Sequence, residues 1–317
     1  MASAHACCMW RAGPESKPHR ALLIADGLSH ARLDRFDHSI EIGGGGRHHM
    51  IDGGKRDDLP TVMAIAALAG VISTQLHEGA GHGGACLALG QHIREWGAFY
   101  LDCDTHGAPS IVGRIVAAAG STMNLLTALV ALLLLGATPP SRQHVCFFCW
   151  LLVALGGFNW AGYFLFSGVS GIGDWGRVGV FRGVSGWPLW RALLALGGAL
   201  LYWRWAIAAM YRLARLTGND EKGRRQARRL ACISYWTIGG TALAIGLLNP
   251  VGLFVLLASA VASSFGGPSG LLWAPSYIRL GAPAASPYVI SRNWIWIAAG
   301  AATVIAEGLI LGPSLRF

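Results

Sequence analysis

Charged residues are scarce in this sequence, and their scarcity excludes a soluble domain. Asp, Glu, Lys and Arg make up 13% of the 317 residues, whereas 53% are hydrophobic and the mean hydropathy is +0.46. So few polar side chains could not cover the surface of a soluble domain of this size. The apolar runs are rich in Leu, Ala and Gly with Trp near their ends, which is typical of packed transmembrane helices. The sequence predicts an all-α, multi-pass protein in the lipid bilayer of the cell membrane.

Acidic residues, paired cysteines and internal repeats are also lacking. The chain has 16 Asp and Glu against 25 Lys and Arg, a formal charge of +9. The basic residues fall in a short loop and a tail, not among exposed aromatics on a soluble domain, which indicates a cytoplasmic membrane face and no nucleic-acid partner. The seven cysteines are an odd number, so no disulfide framework is expected. No repeat relates the two halves, which disfavours an inverted-repeat transporter.

Residues 1–60 lack the apolar segment that a cleavable signal peptide needs. They are polar, with a glycine run at 43–46 and two adjacent histidines, His48 and His49. We interpret them as a disordered extension, or as the product of a mispredicted start, because Met50 or Met63 would each begin a sensible membrane protein.

Beyond Pro60 the sequence is dominated by apolar runs that are long enough to cross a membrane. They lie at about 61–89, 113–137, 145–168, 188–211, 230–265 and 293–312. The fifth run is too long for one span, and Asn249-Pro250 inside it predicts a turn or kink, so six or seven spans are expected. Between the first two runs, alternation and aromatic residues predict a short β-hairpin near residues 95–110.

The strongest topological signal is a basic segment at 212–229. It contains Arg212, Arg215, Lys222, Arg224, Arg225, Arg228 and Arg229. The excess of positive charge in cytoplasmic loops places this segment in the cytoplasm and makes the first span run outward. We therefore divide the remaining chain into a transmembrane core at 61–180 and additional transmembrane helices at 181–317 that carry a basic cytoplasmic loop at 212–229.

Three ionisable residues interrupt the first apolar run. His77, Glu78 and His82 are costly inside a membrane and are treated as functional by default. Zinc hydrolases place two histidines four residues apart around a glutamate, but here the spacing is five, which separates the rings by about 140° on an α-helix. The neighbouring glycines would tolerate a π-turn that returns both rings to one face. The alternative is polar packing between helices, with Glu78 paired to an arginine such as Arg114.

A three-ligand zinc site with an open water position needs one more ligand. Asp174 directly follows a transmembrane run and is the only acid between Asp104 and Asp220. It could instead cap a helix or pair with Arg177. Asn124 and Asn159 are polar positions in otherwise apolar runs, where each could bind substrate, support a zinc ligand or bridge helices.

Three further residues in apolar runs, Cys146, Cys149 and Glu307, are interpreted mainly as packing or polar contacts. Cys146 and Cys149 have CxxC spacing but lie among aromatics with no second pair, which favours apolar packing. Glu307, in the last apolar run, is interpreted as a buried polar contact, with a role in a proton path as the alternative.

The order of these motifs resembles the core of the site-2 protease family of intramembrane zinc metalloproteases. The match covers about residues 61–180. It consists of a helix with HE…GH, a helix whose Gly-x-x-x-Asn motif ends at Asn124, and a helix with Asn159 that is followed by Gly-Asp at Asp174. The resemblance implies zinc bound by His77, His82 and Asp174, with Glu78 as the general base, and an active site nearer the cytosol. The sequence departs from the family in its longer histidine spacing and in having Gly-Asp-Trp in place of Leu-Asp-Gly.

The first hypothesis is therefore an intramembrane zinc metalloprotease that hydrolyses peptide bonds of transmembrane protein substrates. The second is a catalytically silent membrane scaffold or regulatory protein that retains the same fold, motivated by the extra residue before His82. A small-solute transporter using Glu78, Asp174 and Glu307 is a third, without repeat symmetry or paired broken helices behind it.

Overall fold

The computed structural model describes residues 56–249, 256–284 and 286–317, which are mostly helical. The predictions for residues 1–55 and for Pro250 lie outside these ranges. The helices are α1 (Leu59–Ala88), α2 (Ser110–Ala137), α3 (Gln143–Ser170), α4 (Trp187–Thr217), α5 (Glu221–Gly246), the π-helical α6 (Leu256–Gly266) and α7 (Trp294–Ile310). Three short helical turns, Gly267–Ser269, Gly270–Trp273 and Ala274–Tyr277, follow α6.

Four helices, α1 to α4, are each long and apolar enough to cross a membrane, and α7 is a shorter apolar helix. A helix of 28 residues, such as α2 or α3, is about 42 Å long, and exceeds the hydrocarbon core of about 30 Å. α1 starts sharply because the side chain of Asp58 accepts the backbone N–H of Thr61 at 3.1 Å and Pro60 occupies the first turn.

α3 lies at the centre of the bundle and contacts α1, α2 and α4. It is apolar on every side, and Phe147, Trp150 and Phe158 are fully buried, as expected for a helix surrounded by others. Glycines permit the closest approaches. A Cβ at Gly156 would lie 2.6 Å from the backbone oxygen of Asn124 on α2, which is the small-residue packing typical of membrane helices.

A small antiparallel sheet follows α1, in the strand order β2-β1-β3. The predicted hairpin is confirmed, with β1 at His92–Gly97 and β2 at Tyr100–Asp104, whereas β3 (Leu315–Arg316) was not predicted. A disulfide joins Cys86 at the end of α1 to Cys103 in β2. The expectation that no disulfide forms was therefore wrong, because the hairpin folds back over the end of α1 and brings together two cysteines that are 17 residues apart.

The basic segment 212–229 is helical apart from a short turn, whereas its charge alone had predicted a loop. α4 continues to Thr217, and α5 begins at Glu221 with Asp220 as its N-cap, whose carboxylate accepts the N–H of Gly223 at 2.9 Å. Ala227, Leu230 and other apolar residues alternate with the arginines and are buried, so one face of this cationic helix packs against the core.

Candidate metal centre

The two histidines meet because the end of α1 changes its helical pitch. Leu76–Gly83 is π-helical, between α-helical segments Leu59–Gln75 and Gly84–Ala88. A π-helix bonds residues five apart, so His77 and His82 project from nearly the same side. Their Nε2 atoms lie 3.2 Å apart and their rings are perpendicular. The extra residue in the motif is accommodated in the way that its glycines predicted.

Glycines also provide the space in which the histidines sit. A Cβ at Gly120 on α2 would lie 2.5 Å from Nε2 of His82 and 2.6 Å from Cε1 of His77. A Cβ at Gly81 would lie 2.7 Å from the Cα of Gly120, and one at Gly79 would lie 2.6 Å from the Trp96 ring of β1. These positions exclude any larger residue unless the packing shifts, so the glycines fix the approach of α1 to α2 and to the sheet.

Asp174 enters the same space from the loop that follows α3. Gly171 and Gly173 adopt positive φ of 81° and 85°, which turns the chain inward after the helix. The carboxylate oxygens of Asp174 lie 3.5 Å from Nε2 of His77 and 3.6 Å from Nε2 of His82. We call His77, His82 and Asp174 the histidine–aspartate centre; their ligand atoms all lie within 4.8 Å of one another.

Trp175 holds this loop in place. Its backbone N–H donates to Oγ of Ser167 at 3.2 Å, and its indole N–H donates to Oγ of Ser121 on α2 at 2.8 Å. The departure from Leu-Asp-Gly therefore has a structural role, because the tryptophan fixes the residue beside Asp174 to two helices.

Hydrogen bonds on the far side of each ring leave the inner nitrogens free to bind a metal. The Val116 carbonyl can only accept, so Nδ1–H of His82 donates to it at 2.7 Å, which leaves a lone pair on Nε2. Nδ1 of His77 lies 2.9 Å from the Asn124 amide. In this orientation of the amide, Nδ2 of Asn124 faces His77, and Oδ1 of Asn124 is buried without a hydrogen-bond partner among the described residues. Rotating the amide lets Oδ1 accept Nδ1–H and leaves Nε2 of His77 unprotonated as well.

This arrangement fits a cation. The two Nε2 atoms lie 3.2 Å apart beside a carboxylate whose Oδ2 has no hydrogen-bond partner in the described chain. Burial disfavours the charged form of the Asp174 side chain, and a bound cation would favour it. Ligand distances of about 2.0–2.1 Å in a tetrahedral zinc site place two ligands about 3.3 Å apart, close to the separation of the two nitrogens.

Glu78 lies beside the centre without joining it. Its carboxylate is buried, with Oε1 3.9 Å from Nε2 of His77. It lines a cavity of about 20 Å³ together with Ser73, Asn159 and Tyr163, which is room for one water molecule. The hydroxyl of Ser73 is buried without a partner among the described residues, so this cavity offers it one through water.

Of the two predicted asparagines, Asn124 contacts His77, and Asn159 lines the cavity instead. Sequence reasoning missed Tyr163, whose ring stacks on His77 at 4.6 Å; its position one helical turn after Asn159 is the only signal that could have indicated it. The alternative pairing of Glu78 with Arg114 is not formed, because that guanidinium donates to the carbonyl of Arg182 at 2.6 Å.

The remaining candidates lie outside the centre. Glu307 is buried and accepts a hydrogen bond from Nε2 of Gln75, so it is the polar contact that its sequence position indicated. Cys146 and Cys149 are free thiols buried in α3, in agreement with apolar packing.

The chain matches no protein-family model, no curated protein and no solved structure.

Proposed function

We propose that this protein is an intramembrane zinc metalloprotease. The observation that carries the proposal is the convergence of two histidine nitrogens and a carboxylate within 4.8 Å, with one carboxylate oxygen unpartnered among the described residues. Two nitrogens and one oxygen are a ligand set suited to zinc, with a fourth position left for water. Bound zinc would supply a water of lowered pKa and would polarise a peptide carbonyl.

In this proposal Glu78 acts as the general base. Its carboxylate borders both the centre and the water-sized cavity, while Oε1 lies too far from His77 for direct contact. It takes the proton of the attacking water as the C–O bond forms, and delivers a proton to the amide nitrogen as the C–N bond breaks. Positioned acid–base groups of this kind contribute about 10²–10⁴-fold in rate.

The proposed substrate is a transmembrane segment of another protein. A helical peptide in lipid satisfies its own carbonyls, so only a locally unwound segment presents a bond that can be attacked. The proposal includes six or seven spans, made by α1 to α4 and the later apolar segments, with the 212–229 segment in the cytoplasm.

Metal content tests the ligand assignment. We expect about one zinc per chain in protein purified in detergent, and its loss in His77→Ala and Asp174→Ala, measured by elemental mass spectrometry. His92→Ala is the matched control, because His92 is an exposed histidine of β1 and its variant should retain zinc. Wild-type protein that binds no zinc at neutral pH would refute the assignment.

Hydrolysis tests the role of Glu78. Glu78→Gln should retain zinc and lose cleavage of a single-span test peptide by about 10²-fold or more, because the base is removed and the ligands are kept. Cleavage at the wild-type rate by zinc-loaded Glu78→Gln would contradict the role.

A second candidate is a zinc-binding scaffold without activity. The cavity beside Glu78 admits a water but no peptide in this conformation, which favours it. Wild-type protein that binds zinc but cleaves no unwound transmembrane peptide would support the scaffold.

A further inference from the structure

The helical bundle has two chemically different ends. At one end, Gln226 near the start of α5 donates to the carboxylate of Asp57 at 3.0 Å and to the carbonyl of Tyr288 at 2.7 Å. The Tyr288 hydroxyl in turn donates to the carbonyl of Gln143 at the start of α3. The starts of α1, α3 and α5 therefore lie together, and we call this the basic end.

Positive charge is concentrated at the basic end. The seven cations of the 212–229 segment lie there, together with Arg56, Arg142, Arg279 and Arg292. Asp58 and Arg292 form an ion pair at 3.1 Å, and Gly281 bonds to Asn219, which ties the segment before α7 to this end. An excess of Lys and Arg beside membrane spans marks the cytoplasmic side.

The opposite end carries the sheet, and we call it the sheet end. Two of its cations, Arg94 and Arg316, are paired with acids of the sheet, Asp102 and Glu95. The other described arginines there are Arg114, Arg177, Arg182 and Arg191. The disulfide between Cys86 and Cys103 also lies at this end. The orientation is therefore assigned by the difference in charge between the two ends.

The histidine–aspartate centre lies close to the sheet end. His77 follows Leu59 by 18 residues, which places it about 27 Å along α1 from the basic end, in a hydrocarbon core about 30 Å thick. Asp174 follows the last residue of α3, Ser170, by four positions. Trp96 of β1 packs against Gly79 inside the π-helical turn, so the sheet contacts the same turn that carries both histidines.

We propose that the histidine–aspartate centre lies in the non-cytoplasmic half of the membrane and acts on transmembrane segments whose helix is interrupted near the non-cytoplasmic face. The location follows from the charges and the depth of His77, and the statement about substrates rests on the proposed function. The placement is opposite to the one implied by the resemblance to site-2 proteases, whose active site lies nearer the cytosol.

Cysteine accessibility in intact cells tests the location. His106→Cys introduces a thiol at an exposed position just after β2 at the sheet end, and Ser141→Cys introduces one at an exposed position beside Arg142 at the basic end. A membrane-impermeant maleimide should label His106→Cys in intact cells and Ser141→Cys only after permeabilisation. Wild-type protein controls for background labelling, and the reverse pattern would overturn the proposal.

Paired substrates test the cleavage position. Two co-expressed single-span proteins would differ only in whether an Asn-Pro helix break lies in the third of the span nearest the non-cytoplasmic or the cytoplasmic face. The first should be cleaved at least about tenfold faster, because misplacing the reacting bond slows the reaction. Equal or reversed rates would overturn the proposal. Cleavage of neither protein, with the expected labelling, would refute the hydrolytic function and leave the location of the centre standing.

Discussion

Each histidine of the centre depends on the group that contacts its outer nitrogen. The carbonyl of Val116 fixes His82, and the side chain of Asn124 fixes His77. A carbonyl cannot be removed by substitution, but the asparagine can, so Asn124 is the position at which the role of these outer contacts can be measured. Such contacts typically change metal affinity by about 10–100-fold.

Asn124→Leu should weaken zinc binding by about 10–100-fold, because Nδ1–H of His77 loses its acceptor and the ring is no longer held in the metal-binding tautomer. Asn124→Asp should restore most of the affinity, since a carboxylate also accepts Nδ1–H. Competition with a zinc-binding dye measures both variants. Equal zinc affinity in Asn124→Leu and wild type would show that the asparagine only bridges helices.

At the scale of elements, the π-helical turn and the facing segment of α2 form one unit. The turn places five-spaced histidines on one side, and Gly120 leaves the volume that both rings occupy. The glycine is therefore as necessary to the centre as the ligands, although it donates no atom to a metal.

Gly120→Ala should lower zinc affinity about tenfold or more, because the added methyl group meets both histidine rings and overpacking costs about 1–3 kcal/mol. Gly136→Ala, in the same helix with no atom within 4 Å of its added Cβ, is the matched control and should bind zinc like wild type. The measurement is the same dye competition, with circular dichroism to verify helix content. A Gly120→Ala protein with unchanged zinc affinity would show that the neighbouring backbone moves freely.

The sequence predicts helices and site residues that stand out in their own segment of the chain. It does not predict contacts between segments that are distant in the chain. His77, Glu78, His82 and Asp174 are conspicuous because ionisable residues are rare in apolar runs, and the long apolar runs coincide closely with α1 to α4. Gly120 entered the sequence analysis only as the glycine of the Gly-x-x-x-Asn motif, and every residue has a carbonyl like that of Val116. Their contacts with the histidines could not be predicted before α1 and α2 are placed together.

At the scale of the whole molecule, the centre connects segments that are distant in the chain. Asp174 follows α3 and the histidines belong to α1, so a bound cation would cross-link two helices that contact each other in the core. Without a cation, the same place holds an unpartnered buried carboxylate oxygen, which is destabilising. We therefore expect metal binding to be coupled to folding stability.

The effect of Asp174→Asn on stability should depend on zinc: relative to wild type, the variant should gain less stability from added zinc and should be at least as stable after zinc is removed. With chelator, the variant should unfold at the same temperature as wild type or higher, because a buried carboxyl group with an unpartnered oxygen has been removed. With free zinc at 100 times the dissociation constant, wild type should gain about 2.7 kcal/mol and the variant less. Unfolding followed by tryptophan fluorescence in detergent measures both. Asp102→Asn, at an exposed acid of β2, should leave the response to zinc unchanged, and an Asp174→Asn protein that zinc stabilises as much as wild type would exclude the carboxylate as a ligand.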